Sequence, residues 1–136
     1  MPTEQRRDLL VDEWLRYAAN DELNAASILE HRDGTPAGVC FLAQQTAEKL
    51  LKALLIERTG AYDRIHNLRA LLEQVEHTGV EVPSGIRSAA IELNPHYITT
   101  RYVADIPIES YTWDDATDAF NAVRTIKQFV LSTLGR

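Results

Sequence analysis

The residues most able to do chemistry lie close together in the segment 94–102, Asn-Pro-His-Tyr-Ile-Thr-Thr-Arg-Tyr, which contains His96, Tyr97, Arg101 and Tyr102. Histidine transfers protons near neutral pH, arginine holds phosphate through two parallel hydrogen bonds, and tyrosine rings stack on bases. In a helical segment, His96, Tyr97 and Arg101 would project from neighbouring positions on one side. The pattern therefore indicates a site for a phosphate ester.

A structural role for this segment stays open. Its tyrosines would then close the edge of the core, and Arg101 would pair with an acid such as Asp105 or Glu109. Residues 101–120 contain five acids and one base, so a nucleic acid would have to avoid that side of the molecule.

His66 is a second candidate for proton transfer or phosphate binding, with Arg58 eight positions before it. The alternative is a helix-start residue whose ring bonds neighbouring backbone. His31 and His77 lie in helix-end sequences and are interpreted as solvated partners of the helix dipole. No two histidines stand three or four positions apart, and Cys40 is the single cysteine, so no metal, disulfide or cofactor is expected.

The charge balance restricts the partners of the chain. Its 136 residues contain 14 Lys and Arg against 20 Asp and Glu, a formal net charge of -6. Electrostatic binding of nucleic acid across the whole surface is therefore not expected, although a local basic pocket remains compatible with this charge. There is no apolar stretch approaching the roughly 20 residues that cross a bilayer, nor a signal peptide's apolar centre, so we expect a cytoplasmic protein without membrane contact.

Apolar residues recur at helical spacing nearly throughout, and no strand is required. Turn and capping residues divide the chain into five helical segments. The segments are predicted from Leu9 to Asp33, Pro36 to about Arg58, His66 to Gly79, Ser84 to Asn94 and Thr112 to Leu134, with a loop at 98–111. Short connections favour one all-α domain over residues 1–136, folded as an up-and-down antiparallel bundle.

The same periodicity predicts which side chains face inward. The inward sets include Tyr17 and Leu23 of the first segment and Ile91 of the fourth. The second segment is expected to present a solvated face, or a helix–helix interface through its adjacent glutamines. That face comprises Gln44, Gln45, Glu48, Lys49, Lys52 and Glu57. On it, Glu48 and Lys52 would form a supportive i,i+4 pair, good for roughly a few tenths of a kcal/mol.

Four ordered motifs resemble the HEPN domain family (higher eukaryotes and prokaryotes nucleotide-binding). They cover nearly the whole chain. The motifs are Trp-Leu-x-x-Ala-x-x-Asp at 14–21, Cys-Phe-x-x-Gln-Gln-x-x-Glu-Lys-x-x-Lys-Ala at 40–53, His-x-Leu at 66–68 and Tyr-x-x-x-Arg-Tyr at 97–102.

This resemblance implies a bundle of four main helices plus an accessory one, commonly a homodimer. It also implies the small prokaryotic branch often encoded beside a minimal nucleotidyltransferase as a toxin–antitoxin pair. Many members are metal-independent ribonucleases with an Arg-x(4–6)-His motif, in which histidine assists attack by a ribose 2′-hydroxyl and arginine stabilises the phosphorane. This chain departs from that spacing: seven residues separate Arg58 from His66, and His96 precedes Arg101.

Two functional hypotheses follow. The first is a dimeric HEPN protein acting on RNA or binding a nucleotide. Its candidate catalytic residues are His96, Arg101, Tyr97, His66 and Arg58, and its candidate nucleotide-binding residues are Arg101, Tyr102 and Lys49. The alternative is a catalytically silent module that pairs with a minimal nucleotidyltransferase, and a purely structural bundle is a third interpretation.

Overall fold

A computed structural model of the chain describes residues 3–103 and 106–136. Within these ranges it consists of α-helices joined by short connections, with no strand. The helices are α1 (Glu4–His31), α2 (Pro36–Thr59), α3 (Leu68–His77), α4 (Ser84–Leu93), α5 (His96–Thr99) and α6 (Trp113–Leu134), with a 3-10 turn at Ile108–Ser110.

The helices form the up-and-down bundle that the sequence predicts, which confirms the all-α fold class. Helix α2 lies at its centre, because it packs against α1, α6, α3, α5 and α4 in turn. Of its 24 residues, 15 are buried. It is therefore a core helix on almost every side and not an amphipathic surface helix.

Local capping chemistry determines where the long helices begin and end. The Thr35 side chain accepts a hydrogen bond from the backbone N–H of Gly38, and Pro36 occupies the start of α2. Gly60 ends α2 at φ 80°, a conformation that glycine adopts without a Cβ clash. Thr112 and Asp115 form a reciprocal capping box at the start of α6. These ends agree with the sequence prediction.

Three predicted segments differ from the structure. Helix α3 runs from Leu68 to His77 and not from His66 to Gly79, because Asn67 caps it by accepting from the N–H of Ala70. Helix α1 begins at Glu4, several residues before Leu9, because Thr3 caps it by accepting from the N–H of Arg6. The expected loop at 98–111 overlaps the short helix α5, and it also contains the 3-10 turn.

Three side chains predicted to face inward are exposed: Tyr17 (55%), Leu23 (70%) and Ile91 (55%). Tyr17 and Leu23 lie on α1, whose partners α2 and α6 leave part of its surface to solvent. Spacing by threes and fours selects a stripe, but it does not reveal how wide a stripe the neighbouring helices cover.

The prediction that this face of α2 is solvated is wrong for three of its six residues. Gln44, Glu48 and Lys52 are buried. They occupy every fourth position and so form one stripe along the helix, where α1, α5 and the segment before α3 cover them. Cys40 is buried, and burial raises the pKa of its thiol to about 12.

Candidate functional site

The centre of the candidate site is the buried carboxylate of Glu48 on α2. Its Oε1 lies 2.9 Å from Nδ1 of His66 and its Oε2 lies 3.1 Å from Nζ of Lys52. The side-chain amide of Gln44 donates a longer hydrogen bond, 3.5 Å, to Oε1. Since an ionised carboxylate only accepts hydrogen bonds, its three neighbours satisfy it as donors.

His66 is held by its backbone as well as by its ring. Its carbonyl accepts a 3.1 Å hydrogen bond from the amide of Gln44. Immediately after it, Asn67 caps α3, and the N–H of Leu68 donates to Oδ1 of Asn94 at 2.8 Å. These bonds fix the histidine between α2, α3 and the end of α4, so the ring is positioned without relying on solvent contacts.

The His66 ring has one free edge. Its side chain is 48% exposed, although the Glu48 side chain that it contacts is only 5% exposed. One face of the ring stacks on Tyr97, with centroids 4.2 Å apart and an interplanar angle of 14°. A histidine whose Nδ1 is bound to a carboxylate presents Nε2 to a substrate, and this arrangement suits general acid–base catalysis.

Lys52 lies on the opposite side of Glu48 from the solvent-facing ring. Its ammonium group is 5.7 Å from the ring centroid of Trp14 on α1 and 5.3 Å from that of Tyr62. The side chain is only 5% exposed. Both rings present faces that attract a cation, so Lys52 is held in a closed environment of Glu48 and two aromatic side chains.

Helix α5 and the turn that follows it bring tyrosine and arginine side chains to the same region. The ring of Tyr102 lies 6.4 Å from that of Tyr97, and partial burial with the hydrogen bond to Tyr102 raises the pKa of Tyr97. The Arg101 guanidinium lies over the ring of Phe41 at 3.5 Å. Phe41 and Glu48 are seven residues apart on α2, so they share a face about 10 Å apart along its axis.

The sequence predicts His96 beside Tyr97 and Arg101, but its ring has a different environment. Its Nδ1 lies 3.1 Å from the hydroxyl of Tyr111, and burial lowers the pKa of His96. Arg101 forms no ion pair with Glu109 within residues 3–103 and 106–136, and Asp105 lies outside the described residues.

Arg58 and Lys49 lie apart from the His66 ring. Arg58 is exposed in the last turn of α2, ten residues and so about 15 Å along the helix from Glu48. Lys49 forms an ion pair with Asp21 of α1. The structure therefore brings together His66, Tyr97 and Tyr102 from the predicted set, and places Arg101 along the same face of α2.

Glu48 is the residue that sequence reasoning assigned to a solvated ion pair and not to a site. The sequence contains a pattern that points to Glu48, because the polar residues Gln44, Glu48 and Lys52 repeat at four-residue spacing. The apolar positions of the same segment are too numerous to leave a broad solvent face, as 15 buried residues show.

Across residues 3–103 and 106–136, no group of three or more His, Cys, Asp or Glu side chains is arranged to hold a metal ion. Over the same ranges, none of the helices has the length and apolar character needed to span a bilayer.

Fold and site together define an all-α bundle in which a buried carboxylate orients a partly exposed histidine. The chain belongs to the HEPN domain family, since the family profile for the HEPN domain matches residues 11–133. No curated protein matches the chain significantly.

Two crystal structures are similar to it. An archaeal HEPN homologue superposes with a TM-score of 0.69 at 28% identity, covering 90% of this chain and 96% of its own. A HEPN domain protein from Thermotoga maritima superposes with a TM-score of 0.72 at 26% identity, covering 91% of this chain and 98% of its own.

Proposed function

We propose that this HEPN domain is a metal-independent ribonuclease of a toxin–antitoxin-like pair, with His66 as the general base. The observation that carries the proposal is the 2.9 Å contact between Nδ1 of His66 and Oε1 of Glu48. This contact resembles the carboxylate–histidine part of a catalytic triad, in which the carboxylate sets the orientation and tautomer of the imidazole.

In the proposed reaction, Nε2 of His66 removes the proton of a ribose 2′-hydroxyl. The 2′ oxygen then attacks the adjacent phosphorus, and the bond from phosphorus to the 5′ oxygen breaks. The leaving 5′ oxygen takes a proton from solvent, giving a 2′,3′-cyclic phosphate and a 5′-hydroxyl end. Arg101, which lies along the same face of α2, would stabilise the charge on the phosphorane.

Tyr97 and Tyr102 support the binding side of the proposal. Tyr102 is 60% exposed and lies beside Tyr97, which itself stacks on His66. An exposed aromatic ring offers a stacking surface to an unpaired base, worth about 1–3 kcal/mol per base. We therefore expect the substrate to be single-stranded, since bases in a duplex are not accessible to such rings.

The test uses purified protein with a single-stranded RNA in EDTA, and the same RNA with 2′-O-methyl groups as the matched substrate control. Cleavage of only the unmodified RNA, giving a cyclic phosphate, supports the proposal. His66→Ala should lower the rate by about 10²- to 10⁴-fold, the usual contribution of a general base. Glu48→Gln should lower it by at least about tenfold.

His31→Ala is the control variant, because the His31 ring is exposed and bonds only the Ser27 carbonyl of its own helix in the described structure. It should cleave at the wild-type rate. His96→Ala separates the two histidine assignments: a loss as large as that of His66→Ala would contradict the choice of His66. Wild-type protein that cleaves no RNA but co-purifies with a minimal nucleotidyltransferase would favour the catalytically silent module instead.

We also propose that the protein is a homodimer through exposed apolar residues of α5 and of the described positions after it. Val103 is fully exposed there, and Ile98, Ile106 and Ile108 are between 47% and 59% exposed. A second copy would cover apolar side chains that are unfavourable in water. The molar mass measured by light scattering should be about twice 15.3 kDa for wild type, and Val103→Asp should reduce it to the monomer value.

A further inference from the structure

We propose that Lys52 is a positioning residue of this site, which keeps Glu48 ionised and thereby leaves Nε2 of His66 without a proton. Lys52 does not touch the solvent-facing part of the site, since its side chain is 5% exposed. It acts through Glu48, which bridges the ammonium group and the imidazole ring. The inference concerns the same site as the proposed function and rests on it for its catalytic meaning.

The two oxygens of Glu48 serve different donors. Oε2 accepts from Lys52 at 3.1 Å and Oε1 contacts His66 at 2.9 Å. A carboxylate that is only 5% exposed is strongly destabilised in its charged form unless an opposite charge lies close to it. Lys52 supplies that charge from a buried position, where water and salt screen it little.

The number of protons on the Glu48–His66 pair explains why Lys52 affects the protonation of the His66 ring. With Lys52 present, Glu48 is balanced, and a neutral His66 donates its single ring proton from Nδ1 to Oε1. Nε2 is then free. Without Lys52, the buried carboxylate of Glu48 lacks a balancing charge, and the Glu48–His66 pair takes up one further proton.

The location of that extra proton does not alter the outcome. If it goes to the ring, His66 becomes an imidazolium with protons on both nitrogens. If it goes to the carboxyl group, the acid donates to Nδ1, and the neutral ring carries its proton on Nε2. In both states Nε2 is protonated and cannot act as a base.

The other groups around the pair do not replace Lys52. From α5, the ring of Tyr97 stacks on the imidazole, and Tyr102 lies behind Tyr97. Gln44 on α2 is an uncharged donor. The next lysine of α2, Lys49, is paired with Asp21 of α1. Trp14 and Tyr62 contact the ammonium group through their rings. Within the described residues, Lys52 is the cation that forms an ion pair with the Glu48 carboxylate.

The test observes the His66 ring nitrogens by long-range ¹H–¹⁵N NMR on uniformly labelled protein without RNA. At about pH 8, above the range in which histidine ordinarily titrates, wild type should show a proton on Nδ1 and none on Nε2. In Lys52→Met, occupancy of Nε2 by a proton at a given pH should rise by at least about tenfold, the size of effect that a close charge produces.

Lys127→Met is the matched control. Lys127 is paired with Glu22, and its loss removes the same charge from the protein without touching Glu48. It should leave the His66 nitrogens as in wild type. Lys52→Arg keeps the positive charge and should restore the unprotonated Nε2. In Glu48→Gln, adding Lys52→Met should have no further effect on the ring, because no carboxylate remains to be balanced.

Wild-type protein with its proton on Nε2 would overturn the inference even if Lys52→Met failed to fold. So would a folded Lys52→Met variant whose ring matches wild type. The NMR measurement needs no substrate, so its result is independent of the proposed function. If the His66 nitrogens carry protons as predicted but the protein cleaves no RNA, the ribonuclease proposal is refuted and the role of Lys52 is retained.

Discussion

Replacing the buried Glu48–Lys52 pair by apolar residues tests whether this pair serves the site or the stability of the bundle. Both side chains are 5% exposed, with Oε2 and Nζ 3.1 Å apart. Removing one member of a buried ion pair typically costs about 3–5 kcal/mol, whereas replacing both by apolar residues of similar size is often neutral or stabilising. The double variant Glu48→Leu/Lys52→Met should therefore be at least as stable as wild type.

The contacts around Glu48 and Lys52 predict different losses of stability for the two single variants. Glu48→Leu leaves the Lys52 ammonium with only the rings of Trp14 and Tyr62, so we expect a loss of about 3 kcal/mol. Lys52→Met leaves Glu48 with two donors, His66 and Gln44, and we expect a loss of about 2 kcal/mol. The coupling between the two sites would then be about 5 kcal/mol.

Urea unfolding of wild type, both single variants and the double variant measures this coupling. The Asp21–Lys49 pair between α1 and α2 provides the comparison, since its side chains are 12% and 22% exposed. Asp21→Leu/Lys49→Met should show a smaller coupling, because water screens the more exposed pair. A Glu48→Leu/Lys52→Met variant that loses the sum of the two single losses, to within about 0.5 kcal/mol, would refute the reasoning.

Three further predictions concern other parts of the molecule. In urea unfolding, Gly60→Ala should cost about 2 kcal/mol and Gly79→Ala only about 1 kcal/mol. Both glycines have positive φ, which alanine adopts with strain. A Cβ at Gly60 would also lie 2.8 Å from the Arg7 guanidinium, whereas nothing lies within 4 Å of a Cβ at Gly79. Equal losses would contradict a role for this contact. Burial lowers the pKa of His96, so stability should decrease as pH falls through its usual value near 6.5 towards the lower folded value, and His96→Gln should lack this decrease. The Cys40 thiol, with its pKa raised to about 12 by burial, should react with a thiol reagent at about pH 8 only as fast as the protein unfolds; faster labelling of folded protein would show that the thiol is accessible.

The sequence predicts the helices well because their ends are encoded locally. Thr35 and Thr112 are followed by residues whose backbone N–H groups they cap, and Gly60 supplies the left-handed conformation that stops α2. Such signals act within a few residues. They require no knowledge of the neighbouring helices, and the predicted bundle is therefore confirmed in its order and type.

The candidate site was less accessible to prediction because its contacts are tertiary. Glu48 and His66 are 18 positions apart and meet only because the segment before α3 folds back onto α2. The reverse holds for His96 and Arg101, which are close in sequence but have different partners, Tyr111 and Phe41. Spacing along the chain determines the relative direction of two side chains only inside a continuous helix. Helix α5 ends at Thr99, between His96 and Arg101.

The buried polar residues of α2 carry the strongest argument that this helix does more than form a core. Gln44, Glu48 and Lys52 lie on one stripe of the most enclosed helix, where apolar side chains would pack without a desolvation penalty. Asp21 and Thr46, the other buried polar residues described, have simpler explanations: Asp21 pairs with Lys49, and the Thr46 hydroxyl bonds the Leu42 carbonyl of its own helix. The stripe instead leads to a single half-exposed ring, that of His66. A net charge of -6 excludes a broad electrostatic hold on RNA, so any chemistry on a phosphodiester must depend on the orientation of a few groups. A histidine fixed by three buried polar residues provides that orientation within one chain.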